Sequence, residues 1–235
     1  MAAAQTSPIP EPRIPLSKER VLKTAVVLAD QGGIETLTMR KLAQELGVEA
    51  MSLYHYVAKK DDILDGIVEL VVREINETVS NLNLSPGLDD WKRAMRARIL
   101  AARQVLLTHR WAPDVLETRT SGSLEVMEYV DGLLRIFKEG GFSYDAAHHA
   151  MHALGSRAFG FAQELFEPDG EDDSERDPTA GLEDMADRFP HIVEMLAQIS
   201  HNDPDSTLGW CDDQTEFEFG LDLILDGLDR LRGAR

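Results

Sequence analysis

Between Thr38 and Lys60 the side chains suited to polar contact are interleaved with aliphatic residues at regular intervals. The run is Thr38-Met39-Arg40-Lys41-Leu42-Ala43-Gln44-Glu45-Leu46-Gly47-Val48-Glu49-Ala50-Met51-Ser52-Leu53-Tyr54-His55-Tyr56-Val57, then Ala58-Lys59-Lys60. Cations neutralise phosphates, hydroxyls bond phosphate oxygens, and side chains at the start of a helix read base edges. Leu42, Ala43, Leu46, Val48, Leu53 and Val57 suffice for the small core of two short helices. Gly47 supplies the positive φ of the turn between them. With Leu53 and Val57 inward, Ala50, Met51, Ser52, Tyr54 and His55 face outward. The hydroxyls of Ser52, Tyr54 and Tyr56, with Lys60 beyond them, then suit phosphate contact. The segment reads as a helix-turn-helix over about 38–57 that docks on double-stranded DNA.

The other residues able to do chemistry are few. His148, His149 and His152 stand close together, and 148 and 152 share a helix face. No acid lies between them in the HExxH manner and no further ligand is near in sequence, so no metal is expected. The competing reading makes this trio the working part of a helical-bundle enzyme or carrier. Cys211, the one cysteine, lies before two aspartates and reads as inert. A lone cysteine also excludes a disulfide framework and suits a reducing compartment. No Gly-rich phosphate loop follows a strand and no nucleophile–base order is suggestive. No catalytic residue and no cofactor are expected.

Charge separates the chain into two parts. Of its 24 Lys/Arg and 42 Asp/Glu, eight bases and six acids fall in residues 1–60, a balance of +2. The rest carries −20 of the total of −18. So acidic a chain does not coat nucleic acid or anionic membrane with its whole surface, whereas a slightly basic head on an acidic body orients on a polyanion. The N-terminus lacks the basic start and apolar core of a secretory signal, and no apolar run reaches the roughly 18 residues of a membrane helix. A cytoplasmic protein that does not enter the membrane is expected.

The elements that must position these residues are helical throughout. Residues 1–15, with Pro8, Pro10, Pro12 and Pro15, read as a disordered arm. Ser17 caps a first helix carrying Val21, Leu22, Ala25, Leu28 and Ala29, and Gly32-Gly33 ends it. Thr38 caps the second, and the third runs from about Glu49 to Val57. A long fourth helix spans about 61–82. Further helices are expected at about 88–108, 111–118, 121–140, 143–167, 183–200 and 213–232, with an acidic loop at 168–180. The class is all-α, with residues 16–60 as DNA-binding head and 61–235 as ligand-binding and dimerisation body.

The run Leu37-Thr-Met-Arg-Lys-Leu-Ala-Gln-Glu-Leu-Gly-Val, with Leu53-Tyr-His-Tyr-Val-Ala-Lys-Lys, closely resembles the tetracycline-repressor (TetR) family of regulators over about residues 17–75. Thr108-His-Arg and Gly140-Gly-Phe-Ser are weaker echoes of the tetracycline-repressor subgroup. The resemblance implies a homodimeric, sequence-specific DNA-binding repressor released from an approximately palindromic operator by a small ligand. It places Thr38, Met39 and Arg40 at the opening of the positioning helix and Ala50, Met51 and Ser52 at the main base-reading positions. Tyr54, His55, Tyr56 and Lys60 fall on backbone or groove contacts. Ala50 and Met51 replace a polar residue and a proline of the founding repressor, so the resemblance does not carry over that repressor's operator sequence. The histidine and threonine that help hold magnesium–tetracycline there have only a partial counterpart at Val115–Thr118, with no histidine.

For the body, Trp91, Met95, Trp111, Met127, Phe137, Met151, His152 and Phe159 are the candidate walls of an effector pocket. Few charges fall among the inward positions, so the expected effector is apolar or aromatic. Phe217, Leu221, Ile224 and Leu228 form a seam in the last helix, continued by Leu231. Phe219, Leu223 and Leu225 add apolar surface beside it. The helix at 143–167 presents Ala150, Leu154 and Phe161, with Gly155, Ala158 and Ala162 small enough for close approach. These two helices from each subunit are the expected dimer interface. A shift of the fourth helix must move the head and change the spacing of two recognition helices.

Overall fold

The chain is described from a computed structural model, which covers residues 15–160 apart from 83, 85, 86, 88, 120 and 121, residues 188–194 apart from 192, and residues 213–232. The expected N-terminal arm, the acidic loop and Cys211 lie outside the described residues, as does most of the expected helix at 183–200. Nine helices are named among those residues: α1 (Lys18–Gly32), α2 (Met39–Leu46), α3 (Ala50–Leu53), α4 (Lys60–Ser80), α5 (Trp91–Thr108), α6 (Ala112–Glu117), α7 (Leu124–Glu139), α8 (Tyr144–Gly160) and α9 (Asp213–Arg232). A 3-10 turn, Ile34–Thr36, joins α1 to α2. No strand occurs among the described residues.

Local chemistry sets the ends of the early helices. The Ser17 hydroxyl accepts from the Arg20 amide at 3.1 Å, and Thr38 does the same for Lys41 at 3.1 Å. Gly33 and Gly47 carry φ of 76° and 67°, in the region that a side chain resists. At α4 the cap is supplied from inside the helix. The Asp62 carboxylate reaches back to the amides of Ala58, at 2.9 Å, and Lys59, at 3.1 Å.

The chain divides into two compact units. The first holds residues up to 81 together with 101–129. Its core joins Val21, Leu22, Ala25, Leu28 and Ala29 of α1 to the apolar positions of α2, to Leu53 and Val57, and to Ile63, Ile67, Val68, Val71, Val72, Ile75 and Val79 of α4. Ala101, Ala102 and Val105 of α5, with Trp111, Ala112 and Val115, complete it. α1 crosses α4 closely at Gly66, where a built Cβ would stand 2.6 Å from Leu22 Cδ2. Arg119 lies 3.4 Å from both Asp61 and Asp65 of α4. Arg73 bonds Glu125 at 2.8 Å, and that bond holds the Glu125 carboxyl below its ordinary range.

The second unit comprises residues 82–100 and 130–235. Trp91 and Phe137 pack around Phe142, with ring centroids 4.7 and 5.3 Å from it in edge-on geometry. Met95, Ala147, Ala150, Leu154, Phe217, Leu221 and Leu225 surround them. Acids of α9 face bases of α5: Arg96 meets Asp222 at 2.8 Å and also Glu218, and Lys92 meets Asp226. The Trp91 indole donates to Asp229 at 3.2 Å.

Two glycine substitutions separate conformational from steric cost. Gly47→Ala meets nothing within 4 Å, so only its left-handed backbone resists it. It is expected to cost about 1 kcal/mol in urea unfolding. Gly66→Ala drives a methyl into buried Leu22 and is expected to cost about 2 kcal/mol.

Candidate nucleic-acid interface

Four residues of α-helix have no stability of their own, since one turn does not repay its nucleation. α3 stands because Leu53 and Val57 are sunk in the core, at 0% and 2% exposure. Its approach is fixed by the turn: the Val48 amide donates to Ala43 O at 3.0 Å and the Gly47 amide to Gln44 O at 3.2 Å. The expected helix from Glu49 to Val57 is shorter in the structure, which ends α3 at Leu53 and continues as a turn. In that turn the amides of Tyr56 and Val57 both donate to Leu53 O, at 2.9 and 3.0 Å. Anchoring at residues 53 and 57 therefore survives the loss of regular helix.

This framework displays side chains that a folded chain has no internal reason to expose. Met51 is 73% exposed and Tyr54 47%, with His55 and Tyr56 beside them. Thr38, Arg40 and Lys60 are exposed, while Met39, Ala50 and Ser52 are half-buried at its margin. Arg40 and Lys60 form no ion pair among the described residues, so their charge is not consumed by a neighbouring carboxylate. All ten residues belong to the first compact unit. Apolar and aromatic surface for base edges, with hydroxyls and cations for phosphates, is the equipment of a helix-turn-helix DNA-binding protein.

The candidate pocket residues are not gathered in one place. Trp91, Met95 and Phe137 are buried in the core of the second unit, with half-buried Met151 against it. His152 is exposed on α8, and the side chain of Phe159 lies outside the described ones. Trp111 and Met127 belong to the first unit, where Trp111 is buried and Met127 is 60% exposed. That unit has instead an open groove of about 600 Å³ between the end of α4 and the start of α7. Arg73, Asn76, Glu77, Leu124, Glu125 and Glu128 are among its lining residues. Sequence reasoning missed this groove because its polar lining carries no apolar signal.

The candidate interface residues divide by face. Ala150, Leu154, Phe217 and Leu221 are buried in the chain's own second core, and Ile224 and Leu228 are half-buried against it. Gly155 is half-buried, the Ala158 side chain is not among those described, and Phe161 and Ala162 lie outside the described residues. The exposed apolar side chains of α9 are Phe219, at 62%, Leu223, at 55%, and Leu231. The His148 ring stands 5.7 Å from that of His149 and 4.6 Å from that of His152, on the exposed side of α8. No group of three potential ligands able to hold a metal ion occurs among the described residues.

Comparison with known proteins agrees with this class. Residues 21–67 match the family model of bacterial regulatory proteins of the tetR family, and residues 85–232 match the tetracyclin repressor-like C-terminal domain. The class A tetracycline repressor protein from transposon 1721 of Escherichia coli is 30% identical, over 92% of each chain. A possible TetR family transcriptional regulator from Streptomyces coelicolor A3(2) superposes with a TM-score of 0.70 at 30% identity, covering 92% of this chain and all of that one. The Streptomyces coelicolor TetR family protein ActR, solved in complex with actinorhodin, gives 0.68 at 26% identity over 94% of this chain and all of that one. The chain belongs to the TetR family of transcriptional regulators.

Charge and shape within the interface have separable consequences. Arg40→Ala and Lys60→Ala are expected to weaken binding to all duplexes alike and to lower the slope of log affinity against log salt by about one each. Met51→Ala or Ser52→Ala should change which base pairs are preferred, at about 1–3 kcal/mol per affected pair. Fluorescence anisotropy over a salt series, on operator and scrambled duplexes, measures both.

Proposed function

We propose that this protein is a cytoplasmic repressor that binds an approximately palindromic operator as a homodimer and leaves it when an apolar or aromatic effector binds the body. The observation that carries the DNA-binding half is the exposed Met51–Tyr54–Tyr56 surface, flanked by Arg40 and Lys60, standing on buried Leu53 and Val57. On this reading residues 16–60 are the DNA-binding part and 61–235 the ligand-binding and dimerisation part. The family is regulatory, and we assign the chain no enzymatic activity. No helix among the described residues is long and apolar enough to cross a membrane.

The effector half is supported by relatives. ActR was solved with actinorhodin, and a tetracycline repressor variant from Acinetobacter baumannii with minocycline. Release requires only that the effector prefer the conformation unsuited to DNA, and tenfold weaker operator binding corresponds to about 1.4 kcal/mol of coupling. The test is gel retardation of the DNA flanking the gene, followed by titration of a compound that raises the melting temperature of the free protein. Specific retardation reversed by that compound supports the reading. Failure to retard that DNA, or a tightly bound compound without effect on the complex, contradicts it.

For the dimer, the exposed face of α9 refines the choice of residues. Phe219 and Leu223, one helical turn apart, lie on the side away from Phe217 and Leu221, and such a pair is what a second copy would cover. Phe219→Asp with Leu223→Asp is expected to give a monomer in sedimentation that keeps its helical circular dichroism. Operator affinity should fall by about tenfold or more, because two linked half-sites become independent. Leu221→Asp, aimed at the chain's own core, should instead abolish folding.

A further inference from the structure

The last turn of α1 carries Asp30, and the segment between α5 and α6 holds its carboxylate. His109 Nδ1 lies 2.8 Å from Asp30 Oδ1, and the Trp111 indole N–H donates to the same oxygen at 2.7 Å. On the other edge of the imidazole, Nε2 lies 3.3 Å from Glu74 Oε2 of α4. His109 is buried, whereas both carboxylates reach solvent. Carboxylates only accept hydrogen bonds, so the ring serves both when it donates from both nitrogens. One buried side chain thus ties two helices whose relevant residues stand 44 positions apart in sequence.

The two helices flank the segment that carries the DNA-contacting face. α1 runs through the 3-10 turn into α2 and packs against it, and α4 begins at Lys60. Leu22 over Gly66 is the tightest point of an apolar α1–α4 contact that runs on through Ala25, Leu28 and Ala29, and apolar packing specifies register less sharply than directional bonds. The His109 bridge adds directional bonds toward the opposite end of α1. The segment it opens is tied to α4 again by Arg119, against Asp61 and Asp65. We propose that His109 is a positioning residue for operator binding, pinning the end of α1 to α4 so that Arg40, the α3 surface and Lys60 engage DNA in one geometry. The inference rests on the DNA-binding reading above.

Non-specific binding depends on charge, which His109 does not place on the face. Specific binding needs the contacts in register. The test measures wild type and variants by anisotropy against a duplex retained from the DNA flanking the gene, and against a scrambled duplex of equal length. His109→Leu is expected to lower operator affinity by about tenfold, a typical size for one coupling between elements. Affinity for the scrambled duplex should stay unchanged and the melting temperature should fall by no more than about 3 °C. His109→Asn, which keeps an N–H able to reach Asp30, recovers most of the loss. Glu74→Ala, at an exposed position outside the core, gives a smaller drop of about threefold in the same direction. The proposal is overturned if folded His109→Leu and Glu74→Ala keep the wild-type ratio of operator to scrambled affinity. It is equally overturned if both affinities fall together with the melting temperature and His109→Asn restores neither. A wild-type protein that does not distinguish the two duplexes would instead sink the DNA-binding reading itself.

Discussion

The burial of Leu53 and Val57 is the contact on which the surface proposed to face DNA depends. A single turn of helix does not persist in water by itself, and here it is held by two side chains fixed in the core built by α1, α2 and α4. Every outward residue of the interface takes its direction from those two inward ones. Exposed Met51 and Tyr54 incur the cost of wet apolar surface, and the core beneath offsets it. The reading surface is thus an extension of the first core rather than a loop attached to it.

That core is assembled from distant stretches of chain, and its polar ties follow the same plan. Asp30, Glu74, His109 and Trp111 come from α1, α4 and the α5–α6 junction. Arg73 and Asn76 of α4 reach Glu125 near the start of α7, at 2.8 Å and 2.9 Å. α4 is therefore held by apolar contact along one side and by directional bonds on others. Apolar packing tolerates sliding, whereas hydrogen bonds with fixed donors and acceptors specify a register. An element held in one defined orientation needs both.

What the sequence makes legible follows from the range of each interaction. Ser17, Thr38, Gly33 and Gly47 act within a few residues, so their capping and turn roles are readable from residue type alone. The inward pairing of Leu53 with Val57 is legible for the same reason, being set by a spacing of four residues. Residue type tells that Trp91 and Trp111 are large and apolar, but not that they serve different cores. α9 is harder still, because Phe217, Leu221, Ile224 and Leu225 on one face and Phe219 and Leu223 on the other place apolar surface on two opposite sides of one helix. Periodicity cannot choose the face that α8 covers, and only the fold distinguishes Phe217 from Phe219. His109 and Asp30 are 79 residues apart, and no local rule pairs them.

The most direct measurement of the central claim is hydroxyl-radical footprinting of the protein on the DNA flanking its gene. Two recognition surfaces presented by a dimer should protect two patches on one face of the duplex, with centres about 34–36 Å apart, which is one helical turn. Their positions should not change with protein concentration once the site is filled. Protection spread evenly over the fragment, or a single unpaired patch, would contradict a dimeric reader standing on buried Leu53 and Val57.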